Sequence, residues 1–101
     1  MPAKVPGLGD KILDTAAHLF GSRRFHEVRM EDIAAEAEVG KGTLYRYFQD
    51  KEELYIALLS RAAEQLMARL HDTMAPVEGA KDRLRTLVET SIAFFDEQPH
   101  L

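Results

Sequence analysis

Met30-Glu-Asp-Ile-Ala-Ala-Glu-Ala-Glu-Val-Gly-Lys-Gly-Thr-Leu-Tyr-Arg-Tyr-Phe48 is the stretch whose reading decides the fold. Its first part, from about Met30 to Ala37, places Ile33, Ala34 and Ala37 on one helical face. Glu31 and Asp32 lie in the first turn, where carboxylates suit the positive end of a helix dipole. Glu38-Val39-Gly40 then interrupts the pattern, and a second helix from about Lys41 to Phe48 buries Leu44 and Phe48, one turn apart. Two short helices joined by a three-residue turn, with another helix bracing them, form a helix-turn-helix, whose second helix enters the DNA major groove.

Working outward, the brace lies upstream. Ile12, Ala16, Leu19 and Phe20 recur at helical spacing and define a helix from about Asp10 to Phe20, ended by Gly21-Ser22. Phe25 and Val28 anchor the connection that follows, with Arg23, Arg24 and His26 pointing outward. Downstream, Asp50-Lys-Glu-Glu53 is a helix start, with Asp50 placed to accept from orphan amides and Glu53 at the capping-box position. Leu54, Leu58, Ala62, Leu66 and Leu70 carry that helix to about His71, and Met74-Ala75-Pro76 breaks it. A fifth helix from about Gly79 to Glu97 precedes Pro99. Its stripe of Leu84, Val88, Ile92 and Phe95 is more than one neighbouring helix can cover, so the polypeptide is expected to continue past Leu101. No strand-like alternation appears, and the fold class is all-α.

Composition sets outer limits. With 46% hydrophobic and 30% charged residues the chain is an ordinary globular protein. Cysteine is absent, which removes disulfides and thiolate metal sites and fits a reducing, cytoplasmic location. No apolar run suggests a membrane span, and residues 1–9 read as a loose arm without an export signal. The net charge of −4 argues at first against a nucleic-acid partner. However, residues 1–51 carry eight Lys/Arg and eight Asp/Glu, whereas residues 52–101 carry five and nine. The acidity belongs to the second half, and phosphate contact is local, screened within about 10 Å.

The helix from Lys41 to Phe48 has the chemistry of a groove reader. Leu44 and Phe48 fix one face to the core, which leaves Lys41, Gly42, Tyr45 and Arg46 on much of the remaining arc. Lys and Arg donate to guanine O6 and N7. Gly42 lets the backbone approach closely, and the hydroxyls of Thr43, Tyr45 and Tyr47 can donate to phosphate. Lys51 adds a cation at the same end. On an arbitrary helix these would be half-buried aromatics and a solvated basic face; behind this turn and partner helix, the DNA-reading interpretation is the stronger. An enzyme is not expected. His18, His26, His71 and His100 show no close pairing that would hold a metal, and there is no phosphate loop, nucleophile motif or cofactor signature.

Gly40-Lys-Gly-Thr-Leu-Tyr-Arg-Tyr-Phe48 followed by Asp50-Lys-Glu-Glu-Leu54 closely resembles the signature of TetR-family repressors. Asp32-Ile-Ala-Ala-Glu-Ala37 and Ile12-Leu-Asp-Thr-Ala-Ala-His-Leu-Phe20 also resemble that family, so the match covers about residues 10–58. The resemblance implies groove contacts from Lys41, Gly42 and Tyr45, and phosphate contacts from Thr43, Tyr47 and Lys51. It further implies a helix-turn-helix domain over residues 10–53, and over 54–101 the start of a helical domain that dimerises and binds a small effector. The expected partners are a palindromic double-stranded operator, a second copy in a homodimer, and a small molecule that releases the DNA, with the fourth helix transmitting the signal.

Two departures from the family pattern matter. Glu38 stands where the turn usually has Gly, and a left-handed conformation there costs a non-Gly residue about 1 kcal/mol. Arg29 stands where Ser or Thr commonly caps the second helix, which loses about 1 kcal/mol of capping but sets a cation near the expected phosphate backbone. Glu31, where some members read a base, is expected to be solvated. The competing function is a helical protein-interaction module that has lost DNA binding, supported by the acidic charge and the fifth helix's stripe. Such a module would have no need of cations and hydroxyls clustered between Lys41 and Lys51.

Overall fold

A computed structural model describes residues 6–101, which fold as α1 (Leu8–Ser22), a 3-10 turn (Phe25–Glu27), α2 (Met30–Glu36), α3 (Lys41–Tyr47), α4 (Lys51–Met74) and α5 (Ala80–Asp96). No strand occurs among the described residues. The chain divides into two compact units, one running through Leu58 and including His100, the other comprising Leu59–Pro99 and Leu101.

In the first unit, Ile12, Ala16, Val28, Ile33, Leu44, Leu54 and Leu58 are each at most 1% exposed and form the centre of one core. Helices this short are marginal alone in water, so α2 and α3 owe their order to that packing. The unit extends past the expected boundary at residue 53, because both Leu54 and Leu58 are packed into its core. Helix α1 also starts earlier than the expected Asp10. Gly7, with φ 81°, takes the left-handed turn that admits Leu8, whose side chain packs on the core. The arm expected over residues 1–9 is therefore helical at Leu8 and Gly9, and its residues 1–5 lie outside the described residues. At the other end α1 takes in Gly21 and Ser22, two residues past the expected Phe20, and stops there. The Ser22 hydroxyl donates back to the carbonyls of His18 (3.2 Å) and Leu19 (3.3 Å), and the chain turns extended only at Arg23.

The turn between α2 and α3 has the conformation expected of it. Glu38 has φ 58°. The Val39 amide donates to the Ala34 carbonyl at 2.9 Å and the Glu38 amide to Ala35 at 3.1 Å, the two bonds of a Schellman motif. Val39 packs against the core, as often accompanies that motif, while Glu38 stays exposed. At the other end of α2, Arg29 is the N-cap and its side chain makes no cap hydrogen bond. A guanidinium has no acceptor to offer. Half of a reciprocal cap survives, since the Arg29 amide donates to the Asp32 carboxylate at 3.0 Å.

Helix α4 starts as its sequence dictates: the Glu53 amide donates to Asp50 at 2.8 Å and the Gln49 amide to Glu53 at 3.3 Å. It runs one turn beyond the expected His71, to Met74, where Arg83 donates to the last carbonyl at 3.1 Å. In the second unit α5 is held by Phe94, only 1% exposed, and its apolar stripe is left uncovered, as expected. Leu84, Val88, Ile92 and Phe95 are 62%, 47%, 59% and 53% exposed. Arg69 of α4 stacks on Phe94, 5.1 Å from its centroid, and makes a bidentate bridge to Glu97 with both bonds at 2.9 Å.

Candidate nucleic-acid interface

Helix α3 divides cleanly between fold and surface. Leu44 is fully buried, Thr43, Tyr47 and Phe48 are half-buried, and Lys41, Gly42, Tyr45 and Arg46 are exposed. Phe48, expected to be buried beside Leu44, is only half-buried although it packs against the core. The four groups expected to read DNA thus share the solvent side of one helix. Gly42 is not required by packing, because a Cβ built on it would touch nothing within 4 Å. Its lack of a side chain therefore leaves open backbone toward solvent, as close approach to a groove requires. Tyr45 is 46% exposed, a large ring that the core does not use.

Tyr47 is placed differently. A Cβ on Gly9 would lie 3.6 Å from its ring, so the ring covers the start of α1, and Tyr47 links that helix to the end of α3. Arg29 is exposed at the start of α2, free of any capping duty. Asp32 is shared between the Arg29 amide and a long ion pair to Arg23 at 3.9 Å. Glu31 is exposed, as expected of a solvated carboxylate.

Lys51 is only half-exposed, and its geometry was not legible in the sequence. Its ammonium donates to the Phe25 carbonyl at 2.7 Å and stands 4.3 Å from the centroid of the Phe25 ring. The ring belongs to a triangle: Phe20 stacks on it at 5.3 Å, and Tyr55 meets both rings edge-on at 5.4 Å. No periodicity relates Phe25 to Lys51, and the pairing exists only once α4 folds back on the 3-10 turn.

The sequence profile of bacterial regulatory proteins, tetR family, matches residues 12–58, the segment that builds this helix-turn-helix. The HTH-type transcriptional activator FasR of Mycolicibacterium smegmatis is 36% identical over 90 residues, 89% of this chain and 40% of that protein. The HTH-type transcriptional regulator RutR of Escherichia coli is 37% identical over 83 residues, 79% of this chain and 39% of its own length. The chain belongs to the TetR family. A further relative, the fatty acid metabolism regulator protein of Bacillus subtilis, is 28% identical over 78 residues, 77% of this chain and 40% of that one. The chain thus spans about two fifths of the length of these relatives. Residues 12–58 are thus the helix-turn-helix segment of that family of bacterial regulatory proteins. Among the described residues no helix is long and apolar enough to cross a membrane, and no cluster of His, Asp or Glu is arranged to hold a metal.

Proposed function

We propose that the full-length TetR-family protein is a homodimer that represses transcription from a palindromic operator and is released by a small-molecule effector. The observation that carries the DNA half of this reading is the solvent face of α3, where Lys41, Gly42, Tyr45 and Arg46 are exposed opposite the buried Leu44. In that reading Lys41, Gly42, Tyr45 and Arg46 meet base edges, while Arg29, Thr43, Tyr47 and Lys51 meet phosphates. The protein-interaction alternative gives no account of two exposed cations and an exposed tyrosine on that face.

Support for the effector half is an apolar recess of about 190 Å³ in the second unit, lined by Leu59, Ala62, Leu66, Phe94 and Phe95. Helix α4 is unbroken from Lys51 to Met74, the continuity that a transmitting helix needs. The sign of regulation has a second reading, because the M. smegmatis relative is named an activator.

Selection of full-length protein on randomised DNA duplexes tests the proposal. A dimer enriches an inverted repeat whose half-sites are centred about 34–36 Å apart, or a multiple of it. Failure to enrich any sequence would remove the operator reading, and enrichment of isolated half-sites would remove the dimer. A promoter fusion measured with and without the gene then separates repressor from activator.

A further inference from the structure

Lys51, a proposed phosphate contact, is held in place before any phosphate arrives. A free lysine is a hydrated charge on a flexible four-carbon stem. Here one residue, Phe25, holds the ammonium twice, by its carbonyl at 2.7 Å and by its ring face at 4.3 Å. The ring is itself held, stacked at 5.3 Å on Phe20, which is 7% exposed and part of the core. Tyr55, one turn beyond Lys51 on α4, closes the triangle from the edge at 5.4 Å. Phe25 is nevertheless 37% exposed. An aromatic ring serving only the core would be better buried; this one has a cation standing over it. The carbonyl takes one of the three ammonium donors and leaves two.

We infer that Phe25 is a positioning residue for DNA binding: its carbonyl and ring set the Lys51 ammonium in advance, with two donors unspent for a phosphate. It acts through Lys51 and touches no DNA itself. The inference rests on the reading of Lys51 as a phosphate contact. On that basis, ordering the stem before binding removes part of the entropy that a free lysine would lose on the complex.

The test uses full-length protein and a mixed-sequence DNA duplex titrated at several salt concentrations. Lys51→Met should lower the slope of log affinity against log salt by about 0.9. Phe25→Leu, which keeps the carbonyl and removes the ring, should weaken binding about two- to five-fold, and Phe25→Tyr should restore it. In a Lys51→Met background, Phe25→Leu should have no further effect, whereas a residue that merely supports the fold would weaken binding equally in both backgrounds. That equal loss overturns the inference. An unchanged salt slope in Lys51→Met overturns the phosphate reading and the inference with it. A second readout needs no variant to fold: in the wild-type NMR spectrum the Lys51 ε-methylene protons should be shifted upfield by the Phe25 ring. Finding them at their ordinary position also overturns the proposal.

Discussion

Replacing Glu38 with glycine should stabilise the helix-turn-helix. Glu38 holds φ 58°, where a side chain crowds the following carbonyl at a cost of about 1–2 kcal/mol. Glycine removes that cost, and the two Schellman bonds at 2.9 and 3.1 Å run between backbone atoms that the substitution leaves in place. Against this, glycine gives the unfolded chain more freedom, worth about 0.4–1 kcal/mol. The balance is about 0.5–1 kcal/mol in favour of Glu38→Gly, or roughly 2–8 °C in Tm for a unit of this size. Glu38 is exposed, so no buried contact is lost. Glu38→Ala is the control, since it removes the same carboxylate but keeps the Cβ. Urea unfolding should move the midpoint of the glycine variant upward at unchanged m and leave the alanine variant near the parent. If glycine and alanine behaved alike, the gain would come from the lost charge, and the argument from backbone strain would be refuted.

Lys41→Ala should cost about 1–3 kcal/mol on the selected site and relax one or two base positions; equal loss on all sequences would reassign Lys41 to phosphate. Arg29→Ser should act in opposite directions, adding about 1 kcal/mol of stability through a restored cap while reducing the salt slope of DNA binding by about 0.9. A Ser variant that binds with the parent's slope would take Arg29 off the interface. In the second unit, the hydrogen bonds from Arg69 hold the Glu97 carboxyl below its ordinary value of 4.5. A carboxyl lowered on folding stabilises above its unfolded pKa and loses that contribution as pH falls through the folded one. The acid limb of stability should therefore be shallower in Glu97→Gln, and parallel curves below pH 4.5 would show the bridge to be thermodynamically silent.

What the sequence made legible was what depends on neighbours within a turn or two. The stripe of Ile12, Ala16, Leu19 and Phe20, the start at Asp50 and Glu53 and the break after Met74 follow from local spacing and local backbone chemistry, whereas the left-handed Glu38 was implied only by the family pattern. Helix ends at α1 were less legible. Gly21-Ser22 does end α1, but as its last two helical residues, with the Ser22 hydroxyl adding bonds to the His18 and Leu19 carbonyls. Pairings between distant segments left no trace, because nothing in the order of residues brings Phe25 to Lys51 or Arg69 to Glu97. Phe94 and Phe95 show the same limit. Adjacent and identical, they differ from 1% to 53% in exposure, a distinction made by what α4 presents and not by their own pattern.

The two departures from the family pattern lie at opposite ends of the same short helix, and they differ in kind. Helix α2 is seven residues long, and four apolar side chains at or beside it, Met30, Ile33, Ala34 and Ala37, are at most 8% exposed. That burial, not its ends, holds it in place, so a weak cap and a strained turn can both be tolerated. Arg29 gives up a cap and gains an exposed cation on the proposed DNA side, a local rule broken where a functional return is visible. Glu38 gives up a glycine and gains an exposed carboxylate, and nothing in the structure explains it. Substitution therefore separates the two cases. Restoring the family residue at position 29 should improve stability at the expense of DNA binding, whereas restoring it at position 38 should improve stability with DNA affinity held or raised. A Glu38→Gly variant that bound DNA less tightly than the parent would place that carboxylate, or the φ it enforces, inside the interface after all.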